Sequence, residues 1–394
     1  MGSAPPGRLG GVTILFLTQD YFPRIGGITT WVHELARGLR GIGAEARVAA
    51  RSFPGEPWDD SALPYPVTRL PGVRWRNRKY AVVYRHLRRL AREERSPVVI
   101  CADWKLGIPV LLHGLLHPRR RFRWVVAVHG KDYAEKRAFH RAMMRLVLGR
   151  CSRVVTGASA VRDLVLGTLR RARRIDVIPY GTDAGRFRPL PVGEDFRAEH
   201  GIPAGVPIVL SVGRLVERKG FDNVIRALPI VLRRHPDLVY LIGGTGADEG
   251  RLHALVDGLG LRDHVAFHGL LPAEELPAWY NLCDVFVMPS RSIGSDIEGF
   301  GIALLEAGAC GKPVIAGDSG GIPDAVEDGG SGILVDPENV EAIAEAILAV
   351  LADGETARRL GTRGYERVHA GFLWSHIARR YAELLEGIGS DARR

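Results

Sequence analysis

An alternation constrains this chain more than any single motif. Short runs rich in Val, Ile and Leu recur along its whole length, separated by stretches with the length and apolar spacing of helices. VTILFLT (Val12–Thr18) opens the series and is too short and too rich in β-formers to be anything but a buried strand. The loop QDYFPRIGG leads into ITTWVHELARGLRGIG, whose apolar spacing and closing glycine mark a helix. ARVAA (Ala46–Ala50), PVVICAD (Pro97–Asp103), RWVVAVHG (Arg123–Gly130), RVVTGAS (Arg153–Ser159) and IDVIPYG (Ile175–Gly181) continue it. The pattern pauses in GTDAGRFRPLPVGED, rich in Gly, Pro and charge. It restarts with PIVLSVGRL (Pro207–Leu215), LVYLIGG (Leu238–Gly244), VAFHG (Val265–Gly269), DVFVMPS (Asp284–Ser290), PVIAG (Pro313–Gly317) and SGILVDP (Ser331–Pro337). The remainder, including FLWSHIARRYAELLEGIG, reads as helix.

Continuous apolar strands alternating with helices imply a parallel sheet covered on both faces. Two such series in 394 residues predict two doubly wound α/β domains. The expected boundaries are 1–190 and 191–370, with a terminal helical segment at 371–394. Ligands of such sheets bind beyond the carboxyl ends of the strands, and a cleft between two domains is the expected site.

Composition excludes several classes. A hydrophobic content of 46% with 25% charged residues is that of an ordinary globular protein. No run approaches the ~18 apolar residues of a spanning helix. The start, MGSAPPGRLGG, lacks the apolar core of a signal peptide, and Cys101, Cys151, Cys283 and Cys310 lack metal-ligand or disulfide-framework spacing. The expectation is a cytoplasmic protein with reduced thiols and no metal site. Charge is asymmetric: 35 basic and 14 acidic residues up to Leu190, against 19 basic and 30 acidic after it. A basic half suits nucleic acid, an anionic membrane surface or a phosphorylated substrate, and equally an arginine-rich solvated face.

Candidate chemistry gathers at strand ends. Gly26 and Gly27, after the first strand, open a helix whose amino terminus favours an anion; the dinucleotide GxGxxG and the P-loop GK[ST] are both absent. SVGRLVERKGFD (Ser211–Asp222) sends Arg214 and Lys219 from a strand-to-helix loop, a fork and a point charge suited to a diphosphate. In SDIEGFGIALLEAG, Gly299 and Gly301 flank Phe300, so the helix is expected to begin near Gly301. Glu298 then lies in the loop before it and Glu306 within an apolar turn. A carboxylate so placed needs a partner, and paired sugar hydroxyls would serve; a cap at Glu298 and an ion pair at Glu306 would serve as well.

Together these motifs resemble the retaining glycosyltransferases of family 4, which have the GT-B fold of two Rossmann-like domains facing a central cleft. The likeness spans nearly the whole chain: Glu298 and Glu306 match the family's E-x7-E signature, SVGRLVERKG its diphosphate loop, FPRIGGITT its amino-terminal glycine loop, VHGKD (Val128–Asp132) its active-site histidine loop, and YGTD (Tyr180–Asp183) the segment before the linker. The FPRIGG start and the SRSIG…EGFGI segment are similar, within that family, to the FPxRxGG start and SRxxG…EG(F/L)GI segment of bacterial mannosyltransferases acting on phosphatidylinositol mannosides.

The resemblance implies a role for each residue. Arg214 and Lys219 neutralise the nucleotide diphosphate. Glu306 accepts from the ribose hydroxyls. Glu298 holds a hydroxyl of the donor sugar, with the amides of Gly299, Phe300 and Gly301 nearby. Gly26 and Gly27 lie against the phosphates, and His129 faces the reacting centre. The final helix crosses back to the first domain. The donor expected is GDP-mannose, with UDP-glucose or UDP-N-acetylglucosamine as alternatives. The acceptor is lipid-linked or a glycan, with no prosthetic group and no metal. Asp132 stands where some relatives carry Glu, so its role stays open.

Two rivals remain at this stage. One is another GT-B enzyme, an epimerase or a phosphorylase. The other is a nucleic-acid-binding protein, which the chain disfavours by lacking an aromatic stacking run or a helix-turn-helix signature. HPRRRFRW (His117–Trp124) and EKRAFHRAMMRLVLGR (Glu135–Arg150) mix Arg with apolar residues and better suit peripheral attachment at the inner face of a membrane.

Overall fold

The structure, a computed structural model, describes residues 9–24, 26–53, 55, 58–71, 75–94, 97–130, 138–169, 175–294 and 296–391. Asp132 and Glu135–Arg137 lie outside the described residues. The chain divides into two compact units, Met1–Tyr180 with Trp374–Arg394, and Gly181–Leu373.

The first unit runs β1 (Thr13–Thr18), α1 (Gly27–Gly41), β2 (Glu45–Arg51), β3 (Val67–Leu70), α2 (Trp75–Glu93), β4 (Val98–Cys101), α3 (Gly107–Leu116), β5 (Arg123–Val128), α4 (Ala138–Leu148), β6 (Arg153–Thr156), α5 (Ser159–Thr168) and β7 (Ile175–Val177). Its strands form one seven-stranded parallel sheet in the order β3-β2-β1-β4-β5-β6-β7. Every residue of β1 is buried, which is why its sequence is a continuous apolar run rather than an alternation. Helix α1 buries Trp31, Val32, Leu35, Ala36 and Leu39, one helical stripe.

The second unit runs α6 (Glu194–Glu199), β8 (Ile208–Val212), α7 (Phe221–Val231), β9 (Val239–Gly243), α8 (Glu249–Gly258), β10 (Val265–Phe267), α9 (Leu276–Leu282), β11 (Val285–Met288), α10 (Ile302–Ala309), β12 (Val314–Gly317), α11 (Ile322–Ala325), β13 (Ile333–Val335), α12 (Val340–Ala352) and α13 (Gly354–Gly371). Its six strands pair in parallel in the order β10-β9-β8-β11-β12-β13. Val209, Tyr240, Ile242, Val285, Val287 and Ile315 from the sheet share one core with Val224, Leu228 and Val231 of α7 and Ile343 and Ile347 of α12. Gly181–Leu190 belongs with this unit: the Phe187 ring meets Tyr280 edge-on, and the Leu190 amide donates to Asn281.

The chain then returns to the first unit as α14 (Trp374–Asp391), where Tyr381 meets Trp31 of α1 edge to face at 6.0 Å. The strand order reverses direction between β1 and β4 in one sheet and between β8 and β11 in the other. Each reversal opens a crevice beyond the strands' carboxyl ends, the place where doubly wound sheets take ligands. Among the described residues no helix is long and apolar enough to cross a membrane.

Candidate functional site

In the second unit the crevice is built from two loops. One leaves β8 and runs through a short 3-10 turn, Glu217–Lys219, into α7; the other leaves β11 and reaches α10. Because β8 and β11 are paired strands, the loops adjoin, and a carboxylate of one meets the cations of the other. Glu298, 9% exposed, places Oε2 at 2.5 Å from Nη1 of Arg218 and 2.7 Å from Nζ of Lys219. Nε of Arg218 lies 3.3 Å from Asp296. Burial alone would raise the Glu298 carboxyl, but Lys219 and Arg218 outweigh it and hold the group at about 2.

The backbone around this cluster is fixed from several sides. The Arg291 amide donates to the Arg218 carbonyl at 2.8 Å, and the Arg291 guanidinium grips both oxygens of buried Asp222 at 3.0 Å. The Glu298 carbonyl accepts from the Gly321 amide at 2.9 Å. Gly320 adopts φ 59°, and a Cβ there would stand 2.6 Å from the Glu298 carbonyl oxygen, so only glycine lets the β12–α11 turn approach so closely. Helix α10 starts at Ile302, after Gly301 in the left-handed region at φ 91°. Buried Phe300 turns its ring towards Phe372, and Gly299 separates it from Glu298.

Glu306 projects from the second turn of α10 and is half-buried. Its partner is a neutral one: the Tyr280 hydroxyl donates to Oε2 at 2.6 Å. Burial pushes the Glu306 carboxyl up, against the pull of the Tyr280 hydrogen bond and the more distant Arg186. Arg214 is exposed. Among the described residues no hydrogen bond or ion pair joins Arg214 or Glu306 to the Glu298 cluster.

The first unit carries its own crevice, between β1 and β4. Gln19, after β1, donates from Nε2 to Asp103, after β4, at 2.6 Å, and accepts from Nζ of buried Lys79 at 3.1 Å. Burial raises the Asp103 carboxyl and lowers the Lys79 ammonium. Gly26 caps α1 and Gly27 begins it, both exposed. A Cβ at Gly26 would meet nothing within 4 Å, so packing does not demand glycine there. His129, just beyond β5, is buried against the edge of Trp31, and its Nδ1 shares a hydrogen bond with the Tyr180 hydroxyl. Burial lowers His129 to about 4, so the imidazole is neutral at pH 7.

Comparison with known proteins decides the family. Residues 192–367 match the family described as glycosyl transferases group 1, and residues 25–186 match glycosyltransferase family 4. The chain is 35% identical, over 97% of its length and 99% of the relative's, to the GDP-mannose-dependent alpha-(1-6)-phosphatidylinositol monomannoside mannosyltransferase of Mycobacterium tuberculosis. The protein belongs to glycosyltransferase family 4. The enzyme of that same description from Mycolicibacterium smegmatis is 36% identical to this family-4 enzyme, with 95% of this chain and 98% of the relative covered. Among solved structures, sucrose-phosphate synthase from Thermosynechococcus elongatus superposes with a TM-score of 0.79 at 26% identity, covering 96% of this chain and all of that one. Anabaena HepE, solved with UDP, gives 0.79 at 22% identity over 95% of this chain and 100% of its own, a likeness of fold alone. The two parallel-sheet, Rossmann-like units are those of the GT-B architecture, and the enzyme is a hexosyltransferase that uses a nucleotide-sugar donor.

Of the residues singled out from the sequence of this glycosyltransferase, the structure joins Lys219 to Glu298, which had been given separate partners. Arg218, Gln19, Lys79 and Asp103 were not singled out. Gln19 and Asp103 each follow a strand, so the strand-end rule that selected Arg214 reaches them too. No local signal marks Arg218: its burial depends on a carboxylate 80 residues away in sequence.

Proposed function

We propose that this family-4 enzyme transfers mannose from GDP-mannose to a hydroxyl of a lipid-linked or glycan acceptor, with retention of anomeric configuration and without a metal ion. The observation that carries the donor and acceptor class is the 35–36% identity, over nearly the full chain, to enzymes named as GDP-mannose-dependent phosphatidylinositol monomannoside mannosyltransferases. UDP-glucose and UDP-N-acetylglucosamine are the competing donors.

In this reading Lys219 and exposed Arg214 meet the diphosphate beyond β8. Glu306, whose one hydrogen-bond donor among the described residues is a tyrosine hydroxyl, has lone pairs left for the two ribose hydroxyls of the nucleotide. Glu298 accepts from a hydroxyl of the donor sugar, and the backbone amides of Gly299, Phe300 and Gly301 lie beside it. Gly26 and Gly27 let α1's amino terminus approach the phosphates. Neutral His129 lines the reacting centre. As the bond from the sugar's anomeric carbon to the diphosphate breaks, negative charge grows on phosphate oxygen, where preorganised cations stabilise it. The acceptor oxygen bonds to the same face, and its proton passes to the departing phosphate oxygen. Glu298 and Glu306 are then hydroxyl acceptors, and neither moves a proton. The first unit takes the acceptor. Its exposed Leu115, Leu116 and Phe139, together with Arg119–Arg121, suit the face of an anionic membrane.

A thermal-shift screen against GDP-, UDP- and ADP-sugars in EDTA tests donor and metal together. Preferential binding raises stability by RT ln(1 + [L]/Kd), so GDP-mannose should give the largest shift and turnover should persist in the chelator. A larger shift with a UDP-sugar, or activity that only added divalent cation restores, sinks this reading.

A further inference from the structure

Two cations converge on one oxygen of Glu298. Nη1 of Arg218 and Nζ of Lys219 both bond Oε2, while Oε1 takes no hydrogen bond among the described residues. The two differ in how they are held. Arg218 is 9% exposed and reaches Glu298 and Asp296 at once with its planar guanidinium, and its carbonyl is tied to the Arg291 amide. Lys219 carries a compact charge on a flexible stem, and an ammonium redistributes its donors easily. A diphosphate arriving beyond β8 competes for the lysine and not for the braced arginine.

We propose that Arg218 is a positioning residue for transfer: it keeps hold of Glu298 through Oε2, so that Lys219 is released to the donor diphosphate while Oε1 is presented to a hydroxyl of the donor sugar. The inference rests on the reading that Glu298 holds that hydroxyl. Without Arg218, the departure of Lys219 would leave a buried carboxylate unpaired, which is strongly unfavourable. Glu298 would then either keep the lysine back or take a proton, and a protonated carboxyl accepts poorly from a hydroxyl. Arg218 and Lys219 are the charged side chains on this carboxylate from the two loops, and Asp296 faces Nε of Arg218. Removing Arg218 therefore leaves one cation to serve two anions.

Steady-state kinetics across pH on Arg218→Gln and Arg218→Lys test this, with GDP-mannose and vesicles containing phosphatidylinositol monomannoside, and with folding checked by circular dichroism. R218Q should lower kcat about tenfold or more, with the donor KM within about threefold of wild type. It should also raise the acid limb of kcat by about one unit or more, because the carboxyl loses an opposite charge. R218K should recover most of kcat and return the limb towards its original position. A folded R218Q with wild-type kcat overturns the inference, as does a loss that is equal at every pH and unrelieved in R218K. Should R218Q not fold, R218K alone decides, with an unshifted limb and low kcat counting against the proposal. Glu298→Gln separates this from the underlying reading: full activity in E298Q removes the sugar-holding role itself, whereas an inactive E298Q beside a normal R218Q removes only the role of Arg218. If wild-type enzyme does not turn over this pair, the donor reading fails. The pH dependence of binding for the donor found by thermal shift, measured by calorimetry, then carries the Arg218 comparison.

Discussion

Two carboxylates on one loop-and-helix segment differ in what surrounds them, and their substitutions should differ accordingly. Glu306 rests against a tyrosine hydroxyl and Glu298 against two cations. Glu306→Ala should chiefly weaken donor binding, raising the donor KM tenfold or more on the order expected for a lost charged hydrogen-bond acceptor. Glu298→Ala should chiefly lower kcat. Steady-state kinetics with varied donor separates the two, and the reverse pattern overturns the assignment. Glu298 also predicts an acid-labile fold. Its carboxyl sits at about 2 in the folded protein against 4.5 ordinarily, so its stabilisation is complete above pH 4.5 and disappears as pH falls towards 2. The contribution is on the order of 3 kcal/mol. Burial depresses His129 from 6.5 to about 4, so the unfolded chain binds that proton first and stability declines as pH falls from 6.5 to 4. Urea unfolding at stepped pH should show both declines, the lower one shallower in E298Q and the upper one smaller in H129Q, since burial also lowers His33, His86, His113 and His268.

At the scale of elements, the crevice in the second unit depends on how closely its loops approach one another. The β12–α11 turn lies against Glu298 because Gly320 tolerates a left-handed backbone and has no Cβ. Gly320→Ala should cost about 1–3 kcal/mol in strain and lower kcat by moving Glu298 off its cations. In the first unit, α14 packs on α1 at a similarly close contact, where a Cβ on Gly38 would stand 2.7 Å from the Ala378 Cβ. Gly38→Val should destabilise by about 1–3 kcal/mol through overpacking while leaving the donor KM unchanged. Chemical denaturation alongside kinetics distinguishes the two variants, since only Gly320→Ala should slow the reaction. Element prediction failed at β3. Val67–Leu70 is an edge strand with three half-buried residues, and VTRL has neither an apolar run nor a clean alternation to betray it.

For the whole molecule, charge is the property that local structure does not explain. The basic first half carries Arg119–Arg121 close in sequence to exposed Leu115 and Leu116, and Phe139 stands 72% exposed on α4. An enzyme drawing its acceptor from an anionic surface should sediment with vesicles containing anionic lipid at low ionic strength. It should be released as salt screens the attraction over roughly 10 Å at 0.1 M. Failure to sediment at low salt removes the membrane from the proposed function.

The sequence by itself determined the sheet class, the two series of strands, the strand-end loops that carry Arg214, Lys219 and Glu298, and the helix that carries Glu306. Those features are written in short-range pattern: an apolar run of strand length, a helical spacing, a glycine at a turn. Tertiary structure alone decided which of those loops meet. Strand order places β8 beside β11, although β9 and β10 come between them in the chain, and that adjacency pairs Lys219 and Arg218 with Glu298. It also gave Glu306 a tyrosine from α9 instead of a cation. Such partners are set by long-range pairing and burial, which change the charge state of a side chain without leaving a mark in the residues on either side of it.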